Sequence, residues 1–155
     1  MTLLANKPNN NRKNGIMENT RRQVEVTVEW CEKNYGALCD SEELGVIVAT
    51  GKTLDECLQK FRDAIEFHIE GMVEYGYAPQ WAVEGQYDIK FNYDTSALLR
   101  KASQYTTMAA VSRVSGINQK LLEHYASSRK RPRKAQQDKI KEALHRIGEE
   151  ILAFS

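Results

Sequence analysis

Val111-Ser112-Arg113-Val114-Ser115-Gly116-Ile117-Asn118-Gln119-Lys120-Leu121-Leu122-Glu123-His124-Tyr125 reads as two short helices joined by a tight corner. Gly116 supplies the residue that tolerates φ > 0 in such a corner, and Ser112, four residues earlier, is small enough for the helices to meet closely. Asn118 is a good N-cap for the second helix, and Ile117, Leu122 and Tyr125 are spaced to bury it against the first. Gln119, Lys120, Glu123 and His124 are left facing outward at its N-terminal end. This is the pattern of a helix-turn-helix, whose second helix puts its first turns into the major groove of duplex DNA. The side chains suit base edges: glutamine pairs bidentately with adenine, lysine donates to guanine and glutamate accepts from cytosine N4.

The next residues strengthen the reading. Ser127-Ser128-Arg129-Lys130-Arg131-Pro132-Arg133-Lys134 places five cations directly beyond the second helix. Phosphate contacts position a protein on DNA while base contacts specify, and Arg129, Lys130, Arg131 and Arg133 suit the first task. A glycine between two helices, or a charge run, is commonplace alone; their conjunction points to DNA. Ala109–Arg133 also resembles the helix-turn-helix of phage repressors of the Xre-like family, in which "S-G-basic-basic-P" precedes the next helix. Here Ser128 stands where glycine is usual, and the spacing differs by one residue. Flanking helices are expected from a cap at Thr95 or Ser96 and, from about Lys134, along the stripe Ile140, Leu144, Ile147 and Ile151. Residues 94–155 therefore read as an all-α, helix-turn-helix DNA-binding domain.

Charge divides the chain in the same place. The whole sequence has a net charge of +1, but residues 1–17 carry +3, residues 18–93 carry −8 and residues 94–155 carry +6. An acidic half joined to a basic half implies two modules with partners of opposite sign. No run approaches the roughly 20 apolar residues of a membrane span, and the N-terminal apolar run is too short for a signal peptide. A cytoplasmic location is the default expectation. The three cysteines, Cys31, Cys39 and Cys57, lack paired ligand spacing, so neither a disulfide framework nor a zinc site is expected. Residues 1–20, rich in asparagine, are expected to be disordered.

Residues 21–93 change period. Val24, Val26, Val28 and Trp30 alternate with Gln23, Glu25, Thr27 and Glu29, the pattern of a half-buried strand. Lys33-Asn34-Tyr35-Gly36 is expected to close a hairpin into a strand near Tyr35–Cys39, and Leu44–Ala49 gives a third apolar run. Thr53 with Glu56 has capping-box spacing, ahead of a helical stripe of Leu54, Leu58, Phe61, Ile65, His68 and Met72. Tyr87, Ile89, Phe91 and Tyr93 alternate as a fourth strand. The fold class is α+β: a small antiparallel-type sheet with one long helix, in the order βββαβ, followed by the helical domain. His68 reads as a packed core histidine and His145 as a surface one.

Taken together, the two halves resemble the HicB family of antitoxins. The resemblance rests on Tyr35-Gly36-Ala37, on Val48-Ala49-Thr50-Gly51-Lys52-Thr53-Leu54-Asp55-Glu56-Cys57-Leu58, similar to that family's "A-x-G-x-T-x-x-E-A", and on Ala64–Met72. It covers Val24–Tyr75 as a partial RNase H-like domain and Asp94–Phe154 as an appended DNA-binding domain. It implies binding and silencing of a HicA-type ribonuclease toxin, with repression of the shared operon. Glu25, Glu29, Asp63, Glu66 and Glu70 are the candidate toxin contacts. Catalysis is not expected: strand one has no central aspartate, and the helix acids follow one stripe, whereas two-metal hydrolysis needs converging carboxylates. No cofactor or metal is implied. A homodimer or dimer of dimers is expected, since one such domain buries little DNA and half-sites repeat about 34 Å apart. The rivals are a stand-alone regulator sensing a small ligand, a nuclease, and a ribbon-helix-helix built on the fourth strand.

Overall fold

The alternation of β-branched residues in Arg22–Cys31 (β1) buries Val24, Val26 and Val28 on one face and exposes Gln23, Glu25 and Thr27 on the other. In this computed structural model, which describes residues 21–155, β1 lies inside a four-stranded sheet. Asn34–Ser41 (β2) pairs antiparallel with it, Gly45–Gly51 (β3) pairs antiparallel with β2, and Tyr87–Tyr93 (β4) completes the order β3-β2-β1-β4. The expected disorder of residues 1–20 lies outside the described residues.

The antiparallel expectation is corrected at β4, which runs parallel to β1 with Val24 opposite Ile89 and Val28 opposite Tyr93. The sheet is mixed. Period-two alternation fixes which face a strand buries but not its direction; here the long crossover through α1 (Leu54–Glu74) and a short helix α2 (Gln80–Val83) brings the chain back in the same sense. The β1–β2 turn lies at Glu32-Lys33, earlier than the Lys33–Gly36 expected, and Glu32 adopts φ 50° there.

One helix covers one face of the sheet. The Thr53 hydroxyl accepts from Glu56 N–H, and the Glu56 carboxylate reaches back one residue beyond the cap to accept from Lys52 N–H, a variant of the capping box. Cys57, Phe61, Ile65, Ile69 and Met72 face the sheet and form its core with Val24, Val26, Val28, Tyr35, Ala37, Cys39 and Ile47. Gly51 is required where β3 hands over to α1: a Cβ there would lie 2.5 Å from Cys57 N and 2.8 Å from its Cα. His68 sits at the edge of this core, half-buried, donating through Nε2 to the Leu44 carbonyl at 2.6 Å. Among the described residues no helix covers the opposite face of the sheet, and Val46 and Val48, expected inside an apolar run, stand 60% and 57% exposed.

A second core belongs to the C-terminal helices α3 (Thr95–Ala102), α4 (Met108–Ser115), α5 (Gln119–Ala126) and α6 (Lys134–Ala153). It contains Leu99, Val111, Ile117, Leu122, Tyr125, Ile140 and Ala143. Asp94, rather than Thr95 or Ser96, caps α3: its Oδ1 accepts from Ala97 N–H, while Thr95 and Ser96 are buried. No helix among the described residues is long and apolar enough to cross a membrane.

Candidate nucleic-acid interface

The α4–α5 corner is built from local hydrogen bonds. Thr107 caps α4 through its hydroxyl, which accepts from Ala110 N–H at 3.1 Å. Gly116 ends that helix at φ 74°, ψ 7°, and its N–H donates to the Ser112 carbonyl. Left-handed geometry costs an L side chain about 1–2 kcal/mol, so glycine is the low-energy choice. The Ser112 hydroxyl donates across the corner to the Ile117 carbonyl at 2.6 Å, so its role is a hydrogen bond as well as small size. Asn118 caps α5, its Oδ1 accepting from Lys120 N–H at 2.9 Å. Ile117, Leu122 and Tyr125 are buried beneath.

The other face of α5 is open. Asn118, Gln119, Lys120 and Glu123 are exposed and His124 is half-buried. The Gln119 amide donates to the Glu123 carboxylate at 3.3 Å, so two candidate base-reading groups hold each other across one helical turn. The His124 carbonyl anchors the start of the basic loop, accepting from Arg129 N–H at 3.0 Å and Lys130 N–H at 3.3 Å. Arg129, Lys130, Arg131 and Arg133 are all exposed. The Gln137 amide donates to the Pro132 carbonyl at 3.1 Å and ties the far end of the loop to α6. The structure therefore puts the polar residues at the start of α5 and the cationic loop just beyond its end.

Ser128 adopts φ 62°, the conformation glycine favours and the place where the phage-repressor pattern has glycine. Its hydroxyl donates to the Trp30 carbonyl, in the other half of the chain. Trp30 is held from several sides: its backbone N–H donates to Ser96 Oγ at 2.9 Å, and the Arg100 guanidinium lies 3.8 Å from the centre of its ring. Arg131 reaches Glu29 at 3.6 Å. The end of the first hairpin is thus clamped between α3 and the basic loop. Sequence spacing offered no signal for this, because the Trp30–Ser128 contact joins residues 98 apart.

The candidate partner-binding acids do not form one surface. Glu25 and Glu29 lie on the helix-free face of the sheet, and both are engaged: Glu25 with Lys90 at 3.5 Å and with the Asn92 amide, Glu29 with Arg131. Asp63, Glu66 and Glu70 are exposed on α1, which covers the opposite face. The pKa of the Cys31 thiol, beside Glu29, is pushed up to about 11 by desolvation and then by its S–H bond to the Glu29 carboxylate. A cleft of about 360 Å³ in this half mixes charged groups, Arg22, Glu25 and Glu43 among them, with apolar ones such as Leu44 and Trp81.

Compared with protein-family models, with characterised proteins and with solved structures, the chain matches none.

Proposed function

We propose that this protein is a DNA-binding repressor whose C-terminal half is a helix-turn-helix, and that its N-terminal half, a degenerate RNase H-like module, binds a small basic toxin of the HicA ribonuclease type. The observation that carries the DNA reading is the left-handed corner at Gly116, from which α5 starts with an exposed polar end and runs into the exposed Arg129–Arg133 loop at its other end. Gln119, Lys120, Glu123 and His124 are the base-reading candidates, and Arg129, Lys130, Arg131 and Arg133 carry the phosphate contacts. The −8 charge of residues 18–93 supports a basic partner, and the HicB-like motifs name its class.

Two copies act together in this reading. The stripe Ile140, Leu144, Ile147, Ile151 and Phe154 begins in the helical core and runs out of it: Ile140 is fully buried, whereas Ile151 is 61% and Phe154 95% exposed. Steps of four and three residues are the spacing of a two-helix seam, and a second α6 would cover it.

Fluorescence anisotropy with the purified full chain and a duplex spanning its own promoter tests the function. Lys120→Ala and Gln119→Ala each cost about 1–3 kcal/mol on the cognate site and relax sequence preference. If both bind as the parent does, α5 is not the reading helix. Co-purification with the product of the adjacent short reading frame tests the partner.

A further inference from the structure

The α1 helix keeps its outer face unneutralised. Asp63, Glu66, Glu70 and Glu74 are exposed there at steps of three and four, and among the described residues none joins an ion pair. The helix has cations, but they are used elsewhere: Lys60 pairs with Glu56 at 2.8 Å, and the Arg62 guanidinium lies 5.1 Å from the Phe91 ring centre. Among the described residues Asp63 receives only the Gln59 amide. Like charges four apart, as in Glu66, Glu70 and Glu74, weaken a helix slightly, so the fold gains nothing from this stripe. At its centre stands Phe67, 79% exposed, with an acid one, three and four residues away. An aromatic ring left in water in mid-helix also contributes little to folding.

We infer that this α1 face, centred on Phe67, is where a small basic protein docks, its apolar pocket receiving the Phe67 ring and its surrounding lysines and arginines meeting Asp63, Glu66, Glu70 and Glu74. The inference rests on the toxin-binding reading above and gives that reading a location. The charge pattern selects the occupant: a second copy meeting it through the same face would bring four like charges against four, whereas a protein built to hold RNA phosphates presents dense positive charge. Complementary charge speeds encounter and rejects wrong partners. A single buried aromatic anchor at the centre of such a patch is the usual source of affinity. The sheet face is the weaker candidate, because Glu25 and Glu29 are already paired within the chain.

The test is isothermal titration of the full-length protein with the purified product of the adjacent short reading frame. Phe67→Ala weakens binding about 30-fold or more, the effect of losing a central anchor. Glu70→Lys weakens it about tenfold at low salt, and the loss shrinks as salt screens it. Both side chains are exposed, so circular dichroism and melting stay close to the parent. Parent binding with both variants unaffected overturns this location and leaves the toxin-binding reading standing. No binding by the parent overturns that reading and this inference together. A smaller species for Phe67→Ala in sedimentation assigns the face to contact between copies and also overturns it.

Discussion

Gly116→Ala probes the corner on which the DNA-binding geometry depends. At φ 74° the backbone is left-handed, and a Cβ built there meets nothing within 4 Å. The penalty is therefore conformational rather than steric: about 1–2 kcal/mol for the Cβ in that region, partly offset by the narrower unfolded ensemble of alanine, for a net loss of about 1 kcal/mol. For a chain of this size that lowers Tm by about 2–4 °C. Gly148 provides the opposite case, since it lies inside α6, right-handed and also with open space at its Cβ position. Gly148→Ala is expected to stabilise by about 0.5–1 kcal/mol, the ordinary gain of alanine over glycine within a helix. Thermal melts followed by far-ultraviolet circular dichroism read both. The sign is the test: a rise in Tm for Gly116→Ala, matching that of Gly148→Ala, would mean a continuous helix through residue 116 and would refute the two-helix corner.

The clamp and the core lead to three more expected outcomes. Ser128 trades left-handed strain for its bond to the Trp30 carbonyl, so Ser128→Gly is near neutral, whereas Ser128→Ala keeps the strain, loses the bond and costs about 1 kcal/mol in urea titrations. Glu29→Gln releases Arg131 from an exposed pair at 3.6 Å; affinity for promoter DNA rises, by at most about fivefold given the small worth of such pairs, and a fall would show that the pair positions the loop for DNA. Burial pushes the Cys39 and Cys57 thiols and the Tyr35 and Tyr87 hydroxyls up, so folding favours their neutral forms. That stability is present below their unfolded values, at about pH 8.5–10, and is lost as pH rises through the folded ones. Chemical denaturation at pH 7 and pH 10.5 should therefore show weaker folding at the higher pH, and equal stability would contradict the assignment.

Local chemistry made much of this fold legible. Alternation identified the buried face of β1, capping-box spacing located the start of α1 at Thr53 and Glu56, and Gly116 with Asn118 marked the α4–α5 corner. What stayed hidden was set by contacts between distant residues. The parallel pairing of β4 depends on how the crossover returns, which no property of Tyr87–Tyr93 encodes. Asp94 wins the α3 cap because Ser96 is drawn to the Trp30 N–H, 66 residues away. Cys57 and Ile69 are buried in the core while Leu54 and His68, on the stripe read from spacing alone, are half-buried, because which neighbouring positions the sheet covers is decided by the packing of α1 on it. The candidate DNA-contacting residues were legible because their caps and exposure are local. The acids were not, since which face they share is decided by the sheet and helix together.

The most direct measurement is the salt dependence of affinity for a promoter duplex, comparing the parent with Arg129→Ala. With four exposed loop cations on phosphates, log affinity is expected to fall with log salt at a slope of about −4 or steeper, flattened by about one unit in the variant. A flat salt dependence, or an Arg129→Ala slope equal to that of the parent, would contradict it.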